Sequence, residues 1–69
     1  MRDPESTLQR QKPGVAAIRI AGRGPISAML RYYVDFVPSL LRPQYSIRFG
    51  TRNLTSVQIE QMARENGLL

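Results

Sequence analysis

The sequence predicts a small, mainly α (α+β) chain that does not make an independent globular fold. Its parts are an extended N-terminal arm, short strand-like segments and two helices, over residues 25–37 and 56–65. Three observations lead there. The chain has 69 residues, a length at which a single core rarely supplies more than about 3–5 kcal/mol. It has neither Cys nor His, so disulfides and the commonest structural zinc sites are absent as reinforcement. Its most apolar stretch, Ile26 to Leu41, is a helix greasy on more sides than so short a chain can cover.

Residues 1–14 read as a flexible or partner-ordered arm. Pro4 and Pro13 interrupt it, Leu8 is its one large aliphatic side chain, and no periodicity offers a face to bury. Residues 15–69 then form a single small helical and extended segment that docks on a larger assembly. Within it, Val15 to Ile20 is a short strand or extended packing segment, with Ala16, Ile18 and Ile20 on one side and Arg19 on the other. The following Ala21-Gly22-Arg23-Gly24-Pro25 reads as a break. It also starts a helix, with Gly24 as cap and Pro25 at the first helical position, where its missing N–H costs nothing.

The helix over 25–37 carries a stripe of Ile26, Met29, Leu30, Tyr33 and Val37, continued past the helix by Leu40 and Leu41. Ala28, Tyr32 and Phe36 fall outside the stripe, and only Ser27, Arg31 and Asp35 break the apolar surface. Arg31 and Asp35 are spaced for an ion pair worth a few tenths of a kcal/mol. Pro38 stops or kinks the helix. Tyr45, Ile47 and Phe49 alternate with Ser46 and Arg48 in a strand pattern, followed by a turn at Gly50–Asn53. The second helix is the best specified element. Thr55 and Gln58 make a capping box, Leu54 is placed to staple onto Ile59, Glu60 and Arg64 are spaced for an ion pair, and Asn66-Gly67 is a stop.

Chemistry is sparsely provided. Without His or Cys the usual general bases and nucleophiles are missing. The five carboxylates are scattered, and Asp35 has a partner in Arg31. Gly22 to Pro25 lacks the Lys and the spacing of a phosphate-binding loop. An enzyme is therefore not expected, nor a metal, a cofactor or a small-molecule ligand. The charge is +5, and nine of the ten basic residues are Arg, a side chain that pairs bidentately with phosphate and carboxylate and stacks on flat rings.

The functional expectation is a non-enzymatic structural subunit of a larger assembly, of virion or ribonucleoprotein type, anchored by the helix over 25–37. Met29, Leu30, Arg31, Tyr32, Tyr33, Phe36 and Val37 are its expected partner-binding residues, since Tyr, Phe and Arg are enriched at interface hot spots. Arg42, Arg48 and Arg52 are candidates for nucleic-acid contact, with Tyr45 and Phe49 nearby to stack a base. Two alternatives use the same residues: a membrane-surface accessory subunit, and a free-standing basic regulator of a partner protein. Other protein subunits are the expected partners, and nucleic acid or a membrane surface stays open. No secretory signal and no membrane span are evident, so an intracellular or within-particle setting is expected.

Overall fold

Strand β1, Glu5–Arg10, lies at the centre of the molecule. It pairs antiparallel with β2 (Arg19–Pro25) on one side and with β3 (Tyr45–Phe49) on the other, and β3 pairs with β4 (Arg52–Leu54). The four strands form one antiparallel sheet in the order β2-β1-β3-β4. Helices α1 (Ile26–Phe36) and α2 (Ser56–Glu65) both pack on one face of it, α1 over β1 and β2 and α2 over β3 and β4. The computed structural model describes residues 3–69, and they fill 37 × 24 × 16 Å.

This architecture corrects the mainly α, partner-dependent reading in three places. Residues 5–10 are not an arm but the middle strand. The reason lies in the register: Leu8 stands opposite Ile47 on β3 and Gly22 on β2, and both Leu8 and Ile47 are wholly buried. One aliphatic residue in a polar segment is enough when its strand has neighbours on both sides, because every second residue then points into the core. Ser6, also buried, donates its hydroxyl to the Gly24 carbonyl at 3.0 Å, so its polar atom is satisfied.

The Gly-rich break, second, is strand. Glycine inside a strand marks close approach of another element, and that element is α1: a Cβ at Gly22 would stand 3.3 Å from the Met29 sulfur. The apolar run that precedes it is correspondingly displaced. Val15, Ile18 and Ile20 are exposed, and regular pairing starts at Arg19. A bulge shifts the register there, since Leu8 faces Gly22 while Gln9 faces Ile20, leaving Ala21 as the extra residue.

The third correction concerns burial. Met29, Leu30, Tyr33 and Val37 from α1 and its C-cap meet Leu8, Ile47, Leu54 and Ile59 in one core. The stripe that looked unsatisfied is covered by the sheet that β1 completes.

Both helices fall where the sequence puts them. Pro25 occupies the N-cap of α1 rather than its first turn. The N-terminal segment closes that end: Ile26 N–H donates to the Pro4 carbonyl at 2.8 Å, and Ser27 donates from its backbone to Asp3 Oδ1 at 3.0 Å and from its hydroxyl to Asp3 Oδ2. A carboxylate at a helix N-terminus also meets the positive end of the helix dipole. In α2 the capping box forms as read, with Gln58 N–H to Thr55 Oγ1 and Thr55 N–H to Gln58 Oε1. The helix stops in a Schellman turn. Gly67 adopts φ +73° and donates to Arg64, and Leu68 donates back to Ala63 at 2.8 Å.

Candidate docking surface

The residues expected to bind a partner divide by depth. Met29, Leu30, Tyr33 and Val37 belong to the chain's own core and are at most 8% exposed. Arg31, Tyr32 and Phe36 stand on the outer side of α1. A helix that is apolar nearly all round therefore serves two surfaces, one spent on the sheet and one left to solvent.

The outer surface is built from α1 and the turn after it. Tyr32 and Phe36 lie four residues apart, which places them one above the other on a helix, and their rings pack at 5.1 Å between centroids, tilted by 39°. Phe36 is 70% exposed and Leu40, four residues farther on, 90%. Leu40 is presented by a hydrogen-bonded turn in which Leu41 and Arg42 N–H groups donate to the Pro38 carbonyl at 2.9 and 3.2 Å. Arg31 and Asp35 flank the aromatic pair as an exposed ion pair at 3.8 Å. The sequence placed Leu40 on the continuing stripe. Its exposure follows from Pro38, which ends the helix before a further turn could carry Leu40 inward.

Arg42 fixes this end of α1. Its Nε and Nη2 donate to the Val37 and Val34 carbonyls, both at 3.3 Å, supplying partners for carbonyls that a helix end leaves unpaired. Its Nη1 lies 3.6 Å from Glu60 on α2, and its guanidinium covers the Tyr33 ring at 5.4 Å. The Tyr33 hydroxyl donates to the same Glu60 at 3.3 Å. Burial first, and then the Glu60 carboxylate, push the Tyr33 hydroxyl well above a tyrosine's ordinary range, with Arg42 opposing. Glu60, spaced in sequence for Arg64, thus turns to Arg42 and ties α2 to α1.

The three arginines singled out for nucleic acid do not share a surface. Arg42 is the clip just described. Arg48 pairs with Thr7 and Asn53 on the sheet face that carries no helix. Arg52 stands opposite Phe49, with its guanidinium 5.6 Å from that ring. Tyr45 and Phe49 alternate with Arg48 and turn to the helical side, where Tyr45 meets Tyr33 edge-on at 6.3 Å. The rings expected to stack a base are therefore half-buried on the face away from Arg48.

Among the described residues no group of three or more His, Cys, Asp or Glu side chains could hold a metal ion, and no helix is long and apolar enough to cross a membrane. No protein-family model matches the chain, and no curated protein and no solved structure matches it.

Proposed function

We propose that the chain is a non-enzymatic subunit that folds by itself and attaches to a protein partner in a larger assembly through Tyr32, Phe36 and Leu40. The observation that carries this reading is the exposure of Phe36, packed on Tyr32, and of Leu40 in the turn that follows, on a helix end that Arg42 holds in place. Aromatic anchors on a pre-ordered element lose little entropy on binding, which is the property of interface hot spots. A protein suits this patch better than a lipid surface. The polar residues beside it are one Arg and one Asp in a pair, whereas helices that lie on membranes carry a strongly basic polar face.

Site-specific photo-crosslinking in the source cells tests it. A benzophenone side chain at position 36 is expected to give one dominant protein adduct, lost in the Leu40→Asp background. The same probe at position 48, on the helix-free sheet face, is expected to give none. Equal labelling from both positions would overturn the assignment.

A further inference from the structure

At the far end of the β1–β2 hairpin, three cations meet with no carboxylate among them. Arg10 and Arg19 are direct cross-strand partners, and like charges so placed repel, since side chains opposite one another begin about 4.5–5.5 Å apart at Cβ. Lys12 follows two residues after Arg10. Together with Val15 and Ala17, these three line a concavity of about 270 Å³. Each of the molecule's two ion pairs among the described residues uses other groups, Arg31 with Asp35 and Arg42 with Glu60.

Bonds within the chain shape the cleft. The loop turns through Lys12-Pro13-Gly14-Val15, where Val15 N–H donates to the Lys12 carbonyl at 3.1 Å and Gly14 takes φ +76°. Gln11 braces the loop from inside, its amide donating to the Val15 and Ala16 carbonyls at 3.2 and 3.3 Å. Arg10 is held from the other side: its Nε donates to Gln44 at 3.1 Å, and its guanidinium lies 5.7 Å from the Tyr45 ring centre. Its Nη nitrogens make no hydrogen bond among the described residues. A like-charge pair costs stability, and here the strand register sets Arg19 opposite an Arg10 that its own neighbours hold.

We propose that Arg10, Lys12 and Arg19 form a binding site for a phosphate group. Two guanidiniums offer forked donors that match phosphate oxygens, and the ammonium adds a compact charge. The bound anion converts the repulsion between Arg10 and Arg19 into attraction on both sides. Val15 and Ala17 give an apolar wall for the carbon skeleton that bears the phosphate. The volume admits a phosphate and a sugar-sized group, and no aromatic side chain lines it to stack a base.

Titration of the isotope-labelled full chain by amide NMR tests the site, with ionic strength held constant by sodium chloride. Inorganic phosphate and an eight-nucleotide single-stranded RNA serve as separate probes. Saturable shifts confined to residues 10–19 are expected. Affinity for the RNA at least tenfold above that for phosphate identifies a nucleic-acid strand as the source, and equal affinity identifies a free phosphate compound. Arg19→Gln is expected to weaken either probe at least tenfold. It is also expected to melt at or above the wild-type temperature in phosphate-free, low-salt buffer, because it removes the repulsion, and to lose the stabilisation that phosphate gives the wild type. Absence of saturable shifts with both probes, or unchanged binding by Arg19→Gln, would overturn the proposal.

Discussion

Truncating Leu8 to Ala puts the role of the N-terminal segment to a quantitative test. Leu8 is wholly buried in the central strand, facing Ile47 across β3 and Gly22 across β2, with α1 above. A Leu→Ala change in a core costs about 2–5 kcal/mol, the spread reflecting how far the site can collapse. Here the surroundings have little room to adjust, since strands bond on both sides of Leu8, so a loss of about 3 kcal/mol is expected. Each 1.4 kcal/mol is a factor of ten in the folding equilibrium, so the folded-to-unfolded ratio falls by roughly 100-fold. In a domain whose core supplies about 3–5 kcal/mol, most of the margin is gone. Urea unfolding followed by circular dichroism reads this as a midpoint moved close to zero denaturant with helix signal lost in step. Leu8→Met, which nearly conserves volume, is expected to cost less than about 1.5 kcal/mol. If Leu8→Ala unfolds within 0.5 kcal/mol of the wild type, on the scale of an exposed substitution, then residues 5–10 are not the middle of the sheet.

Other perturbations separate the remaining supports. Arg42→Ala leaves the Val34 and Val37 carbonyls without their side-chain donor and Glu60 with the Tyr33 hydroxyl but no cation, and is expected to cost about 1–3 kcal/mol, whereas Arg31→Ala, in an exposed pair, stays within about 0.5 kcal/mol; paired urea melts distinguish them. Thr55→Ala removes the reciprocal cap of α2 for about 1 kcal/mol, and Gly67→Ala costs about 1–2 kcal/mol because the stop needs a left-handed residue; hydrogen exchange in α2 should report both. Asp3 hydrogen-bonds Ser27, which holds its carboxyl below the ordinary value of 3.8. The folded state therefore binds that proton less readily than the unfolded one, so the contribution is full above the ordinary value and is lost as pH falls through the lowered one. Asp3→Asn should then be less stable than wild type at pH 5, with the gap closing towards pH 2 in parallel melts.

Where the sequence carried its own local signals, it could be read closely. The capping box of Thr55 and Gln58, the Asn66-Gly67 stop, the Pro38 stop and the Tyr45-Ile47-Phe49 alternation all depend on neighbours in the chain, and each stands as read. Strand β1 was not legible because its burial depends on distant residues: only pairing with Arg48, Ile47 and Gly22 makes a strand of ESTLQR. The glycines of β2 look like punctuation in the sequence because the side chain they make room for, Met29, comes later in the chain and crosses above them. Without β1 and β2, α1 shows a surplus of apolar surface, since the sheet that covers it depends on pairing between distant segments. At the docking surface, Tyr32, Phe36 and Arg31 were legible by residue type. Their separation from Met29, Leu30, Tyr33 and Val37 required knowing which side of α1 the sheet occupies. The Arg10–Arg19 juxtaposition carries no local signal, because eight residues that turn the chain back lie between the two positions.

The central claim is that the isolated chain closes its own core around β1. Amide hydrogen exchange with cross-strand NOE measurements on the purified protein tests this most directly. The account predicts NOEs from Thr7 to Arg48 and to Arg23, and protection of the paired amides of residues 5–10 that approaches the protection of α1 and β3. Rapid exchange throughout 5–10, with α1 folded only when a partner is added, would contradict it.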